Sequence, residues 1–258
     1  MGYATQNTKK RPWNAYLVLY KARIVLSIII KELIMKYIVF NGSPATLDSS
    51  THVIAQAFLS GAQRAGAETE NIFLIEKNIG HCQGCFSCWF KTPGKCVLHD
   101  DMQELLEKYA SADVVCFASP VYTWNITAAL KNFADRLIPL KRPSIVNNND
   151  NFDLLDSRPK TQKFIVISNC GFPGNNNFET MKAVFKSCNP VLEIYRNCGK
   201  LLKSKDKNIR NIVDDYLKCV EQAGYEMTTQ NSISKETEAG LQKELMSVPE
   251  YVKYIGMN

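Results

Sequence analysis

The familiar phosphate grips are missing from this sequence. It has no GxxxxGK[ST] segment and no GxGxxG after its first apolar strand, which excludes a Walker-type site and a dinucleotide fingerprint. Histidine is scarce: His52, His81 and His99 are the only three, with no helical ligand pairing, so a catalytic metal site of that kind is not expected. An uninterrupted membrane span is also lacking. The stretch from Ala15 to Ile30 falls short of ~20 apolar residues, and Lys21 and Arg23 interrupt it. A mid-span Lys or Arg costs about 2.5–3.5 kcal/mol on insertion scales. With no small-residue cleavage site, the same stretch makes a poor secretory signal. The formal net charge of +6 is unevenly placed. Lys9, Lys10, Arg11, Lys21, Arg23 and Lys31 face only Glu32 within residues 1–34, which leaves the rest of the chain about neutral. A nucleic-acid partner therefore loses its main support.

What is present is a soluble α/β pattern. The 258 residues are 45% hydrophobic, enough for one well-packed core. Met35 immediately precedes the first strand. Residues 1–34 admit three readings: a basic amphipathic segment at a membrane surface, an added helix, or translated leader. The last is the expectation, and a chain starting at Met35 is expected to fold and keep its function. Tyr37-Ile38-Val39-Phe40 reads as a strand buried on both faces. Further strands are expected at Thr69–Ile75, Asp113–Ala118, Lys163–Ser168 and Leu192–Arg196. Helices are expected from Ser50, from Met102, around Leu130–Leu137, from Phe178, over Asn208–Ala223 and near Lys235–Leu245. Residues 141–161, with their Asn-rich run, read as one long polar loop, an element that is usually functional or interfacial. The organisation expected is an extension over 1–34, one domain over 35–225 and a helical tail over 226–258.

Alternating strands and helices imply a parallel sheet covered on both faces, with ligands beyond the carboxyl ends of its strands. Asn41-Gly42-Ser43-Pro44 leads from the first strand to Ser49-Ser50-Thr51 and a helix N-terminus. Free N–H groups, the helix dipole and hydroxyls make such a place a cradle for a phosphate. The loop holds no lysine. After the third strand comes Ser119-Pro120-Val121-Tyr122-Thr123-Trp124-Asn125, and after the fourth Cys170-Gly171-Phe172-Pro173.

GSP with its Ser/Thr cluster resembles the phosphate loop of the NADPH-dependent FMN reductase group. SPVY followed by Lys131-Asn132-Phe133 and Asp135-Arg136 resembles that group's flavin-ring loop and helix, and Asp100–Met102 and Cys170–Pro173 are similar to it as well. The resemblance spans about residues 36–200. It implies a flavodoxin-like α/β fold with a five-stranded parallel sheet in the order 2-1-3-4-5. It also implies FMN, held by Ser43, Pro44, Ser49, Ser50, Thr51, Pro120, Val121, Tyr122, Thr123, Trp124, Asn125, Cys170 and Gly171. NAD(P)H would be the electron donor, a quinone or free flavin the small acceptor, and a cytoplasmic homodimer the assembly. No residue is assigned a catalytic role, because a flavin carries the redox chemistry itself.

Four of the nine cysteines, Cys82, Cys85, Cys88 and Cys96, fall within 15 positions. Two successive two-residue gaps and a fourth Cys resemble cluster ligation by thiolates, and they are similar to the compact motif of iron–sulfur flavoproteins, which hold [4Fe–4S]. The gap before Cys96 is longer than that motif leads one to expect. Zinc at four thiolates and free or redox-active thiols are the alternatives. The other five cysteines suit buried thiols in a reducing cytosol. The readings that compete are an NAD(P)H-linked FMN oxidoreductase, an iron–sulfur electron carrier, and a non-enzymatic flavin- or metal-dependent redox sensor.

Overall fold

The central apolar runs become strands because each has a core on both sides. In the computed structural model, which describes residues 34–148, 151–156 and 161–256, seven strands occur. They are β1 (Lys36–Asn41), β2 (Glu68–Phe73), β3 (Val114–Pro120), β4 (Lys141–Asn148), β5 (Asn151–Asp156), β6 (Lys163–Asn169) and β7 (Leu192–Arg196). The helices are α1 (Ser50–Arg64), α2 (Ser87–Phe90), α3 (Met102–Ser111), α4 (Ala128–Asp135), α5 (Glu179–Phe185), α6 (Lys207–Gln230), α7 (Lys235–Gln242) and α8 (Val248–Tyr254). Five strands form one parallel sheet in the order β2-β1-β3-β6-β7. Counted within that sheet, this is the expected 2-1-3-4-5 order; the β4–β5 hairpin is inserted between its third and fourth strands.

Successive side chains of a strand point to opposite faces, and the runs divide accordingly. Tyr37, Val39, Val114, Cys116, Ile165 and Ile167 enter a core closed by α1 and α6. Ile38, Phe40, Val115, Phe117, Phe164 and Val166 enter a second core closed by α3, α4 and α5. On that second face Phe40 stacks on Phe133 at 4.5 Å, and Phe117 meets Phe164 edge-on at 5.0 Å.

Two stretches differ from expectation. The supposed loop 141–161 contains an antiparallel hairpin, whose register shifts between Arg142 and Ile145. Pro143 and Ser144 fall in that shift, where a residue without an N–H is tolerated. The helix expected to end at Ala223 continues to Gln230, so the 225/226 boundary falls inside α6. Beyond it Leu241, Leu245 and Tyr251 are buried in the first core. The sequence reading missed α8, which starts with a Ser247/Glu250 capping box. Among the described residues, no helix is long and apolar enough to cross a membrane.

Candidate functional site

The loops after β1, β3 and β6 meet at the carboxyl edge of the sheet, where the strand order reverses between β1 and β3. They are bonded to one another. Gly42 N–H donates to Ala118 O (2.8 Å), Thr127 Oγ1 to Gly42 O (2.7 Å), and Val121 N–H to Asn169 O (2.8 Å). Together they line a cleft of about 490 Å³.

Ser43, Ser49, Ser50, Thr51, Pro120, Val121, Tyr122 and Gly171, all expected binding residues, line this cleft. Pro44, Thr123, Trp124, Asn125 and Cys170 are not among its walls. Pro44 is exposed, and Cys170 is buried with its Sγ donating to Phe172 O at 3.1 Å. Tyr122 and Asn125 exchange both backbone hydrogen bonds (2.9 and 3.0 Å) around Thr123 and Trp124, whose φ angles are 49° and 57°. Two consecutive positive φ values make a type I′ turn. For a Thr and a Trp this is uncommon backbone, of the kind that collects at ligand clamps. The turn holds Tyr122 and Trp124 more than half exposed at the cleft's end. Phe172 is similarly exposed on the loop after β6.

Three hydroxyls of the first loop are already engaged. Ser49 caps α1 by accepting from His52 N–H (3.0 Å) and donates to Thr46 O (2.8 Å). Ser50 Oγ donates to Gly199 O (2.7 Å), and Thr51 Oγ1 to Asn169 Oδ1 (2.6 Å). The N–H groups of Ser50 and Thr51, first in the helix, have no intrahelical acceptor. Five further walls were not among the expected binding residues: Ala45 and Asp48 within the first loop, and Asn169, Lys200 and Lys203 outside it.

The four clustered cysteines surround a second, small cavity, which they share with Phe86, Val97, Leu98, Arg136, Ile138 and Pro139. Cys88 is buried, Cys96 half-buried, and Cys82 and Cys85 are exposed. Burial pushes the Cys88 thiol up, and its nearness to the Cys96, Cys85 and Cys82 sulfurs pushes in the same direction. Bonds from Ser87 pull the Cys85 thiol down. The sulfurs sense one another around the cavity, yet among the described residues no three His, Cys, Asp or Glu side chains converge tightly enough for one metal ion.

The segment carrying these cysteines has little regular structure, and α4 clamps it. Asn132 Nδ2 donates to Ile79 O (2.7 Å), and Arg136 Nη1 to Gly80 O (2.5 Å). Asp100 accepts from both Arg136 nitrogens (2.7 and 3.1 Å) and from Gly80 N–H (2.9 Å). Trp89 Nε1 donates to Lys141 O (2.9 Å) and Ile138 O (3.2 Å). The Arg136 side chain is 1% exposed, and its Nε–H has no hydrogen-bond partner among the described residues. Burial lowers the guanidinium's pKa, but the adjoining Asp100 and Cys96 outweigh that and raise it, so the group stays charged. A buried donor without an acceptor is costly. A cation with a spare N–H in a wall built of thiols suits an anionic occupant.

The chain is similar to several known proteins. A family model described as NADPH-dependent FMN reductase matches residues 35–152. Those residues are similar to that family over a little less than half of the chain. The chain is 38% identical over 112 residues to an iron–sulfur flavoprotein of Archaeoglobus fulgidus, covering 43% of this chain and 50% of the relative. It is 39% identical over 107 residues to an iron–sulfur flavoprotein of Methanocaldococcus jannaschii, covering 42% and 54%. It thus spans about half the length of these curated relatives. The fold is also that of a Methanothermobacter marburgensis NAD(P)H:quinone oxidoreductase, with a TM-score of 0.55, 17% identity, and 75% and 97% of the two chains covered. A Bacillus anthracis FMN-dependent NADH-azoreductase in complex with FMN gives 0.56, 17%, and 76% and 100%.

Proposed function

We propose that this chain is an FMN-dependent oxidoreductase that takes electrons from NAD(P)H, carries a [4Fe–4S] centre at Cys82, Cys85, Cys88 and Cys96, and delivers to a small acceptor such as a quinone. The observation that carries this reading is that two separate cavities, each suited to an anionic redox group, are built by the fold. The cleft over β1, β3 and β6 offers an anion the first N–H groups of α1, with Tyr122 and the Thr123–Trp124 turn beside it for a flat ring. Bound there, FMN supplies hydride acceptance and electron release. The second cavity offers four sulfurs spread around a space, apolar walls, and the unpartnered Arg136 N–H. A cluster bound there supplies single-electron transfer. Zinc is supported less, because a tetrahedral ion needs its ligands drawn to one point. Tyr122, Trp124 and Phe172 leave an apolar, solvent-facing rim for the acceptor.

Anaerobic purification of the full chain tests this. The expected protein is brown, with FMN and near-stoichiometric iron and sulfide, and it oxidises NAD(P)H with a quinone or dye. Changing Cys85 to Ser should remove the iron and leave the flavin, since α1 and its loop are separate from the cysteine segment. A yellow protein with iron at background would reduce the four cysteines to loop thiols. Flavin without NAD(P)H turnover would favour the sensor.

The hairpin β4–β5 pairs with no strand of the main sheet, and a lone two-stranded hairpin is marginal by itself. This supports a homodimer in which the hairpin packs on a second copy. Light scattering at micromolar concentration should report a dimer; a flavin-bound monomer would dispose of that assembly.

A further inference from the structure

The main cleft has a basic end that comes from far along the chain. Lys200 and Lys203 line it, both on the short 3-10 turn Gly199–Lys203 that follows β7. That turn is fixed against the phosphate loop. Ser50 Oγ donates to Gly199 O (2.7 Å), Gly199 N–H donates to Cys170 O (2.8 Å), and Lys203 Nζ donates to Asp48 O. Among the described residues, Asp48 is the only acid in the cleft's walls, against these two lysines.

The hydroxyl hydrogens of Ser49, Ser50 and Thr51 are given to Thr46 O, Gly199 O and Asn169 Oδ1. Of the loop's four hydroxyl side chains on the cleft, this leaves Ser43 as the neutral donor. The backbone N–H groups at the start of α1 and its dipole remain, but these provide only a partial charge. A phosphate monoester carries roughly two negative charges near neutral pH. Two ammonium groups on a turn already bonded to the loop supply the full charges that the loop lacks.

We propose that Lys200 and Lys203 complete a phosphate-monoester site whose occupant is the 5′-phosphate of the flavin mononucleotide. The proposal rests on the flavin reading and adds residues that the loop sequence does not contain. It is tested on the full chain, stripped of flavin and titrated with FMN or riboflavin by fluorescence quenching. Riboflavin has the same ring and no phosphate. The parent should prefer FMN strongly. Changing Lys200 and Lys203 together to Gln should weaken FMN by about tenfold or more for each lysine removed, leave riboflavin unchanged, and flatten the salt dependence of FMN binding.

A double variant that keeps the parent's preference for FMN overturns the proposal and leaves the flavin reading standing. A parent that binds neither flavin overturns both. Loss of a preference for NADPH over NADH, with FMN affinity unchanged, would move the site to the dinucleotide's own phosphate and overturn the flavin assignment.

Discussion

Changing Arg136 to Met is expected to lower stability by about 3–5 kcal/mol, because it leaves a buried carboxylate without its counter-ion. The Asp100 side chain is 6% exposed, and its cation is 1% exposed. For a chain of this size the loss corresponds to a fall in Tm on the order of 10 °C. Changing Asp100 to Asn in the same chain should recover part of it, since removing both charges is cheaper than orphaning one. Thermal unfolding of the parent and the two variants gives the answer. An Arg136→Met protein melting within about a degree or two of the parent would show that the pair contributes nothing. Iron content should fall with the same change, through the loosened segment at Gly80 and the lost cation beside Cys96.

The pair also sets a pH dependence. Burial alone would raise the Asp100 pKa, but the bonds from Arg136, Gly80 N–H and Met102 N–H outweigh it and hold the carboxyl below its ordinary value. A folded-state pKa below the unfolded one gives stability that is present above the unfolded value of about 3.9. It is lost as pH falls through the folded value. The difference between parent and Asp100→Asn should therefore be full at neutral pH and shrink in acid below about pH 4. A difference that does not change from pH 7 into that acid range would contradict this assignment.

The motifs themselves were easier to find than their work. Tyr37–Phe40, Asp113–Ala118 and Lys163–Ser168 were legible as strands because burial on both faces leaves nearly unbroken apolar runs. The resemblance placed Lys131–Arg136 on the helix that follows the flavin-ring loop and gave them no task of their own. In the fold, Asn132 and Arg136 instead reach back to Ile79, Gly80 and Asp100 and fasten the cysteine segment. Nothing at positions 131–136 signals this, because the partners lie 36–56 residues earlier. Lys203 was invisible for the same reason, bonding to Asp48 from 155 residues away. The hairpin was hidden by composition. Its Asn-rich strands carry little of the β-branched signal, and strand propensity depends heavily on context. Tyr251 looked like part of a polar tail, yet its hydroxyl donates to Gly171 O (2.6 Å) beneath the cleft.

The closest helix contact in the fold predicts the second large effect. A Cβ built on Gly61 of α1 would lie 1.7 Å from Glu221 O of α6, and one on Gly224 would lie 1.9 Å from Phe58 O. Each glycine thus admits the backbone of the other helix. The surface pair between Arg64 and Glu221 beside them is half exposed, and pairs of that kind contribute little. In an open helix Gly→Ala gains about 1 kcal/mol. Here the obstructing atoms are backbone carbonyls, which cannot rotate aside, so the helices must separate. Overpacking of this kind typically costs about 1–3 kcal/mol and occasionally more. Gly61→Ala is therefore expected to destabilise by about 3 kcal/mol, whereas Gln63→Ala on the exposed face of the same helix should stay within about 0.5 kcal/mol. Because Ser50 and Thr51 open α1 and line the cleft, a displaced α1 should also release FMN more readily. Urea unfolding and flavin retention measured on both variants separate these consequences. A Gly61→Ala chain as stable as the parent would mean that α1 and α6 do not pack backbone to backbone. A destabilised chain that keeps its FMN affinity would mean that the start of α1 is held by its loop, through Ser49 and Thr51, rather than by the helix behind it.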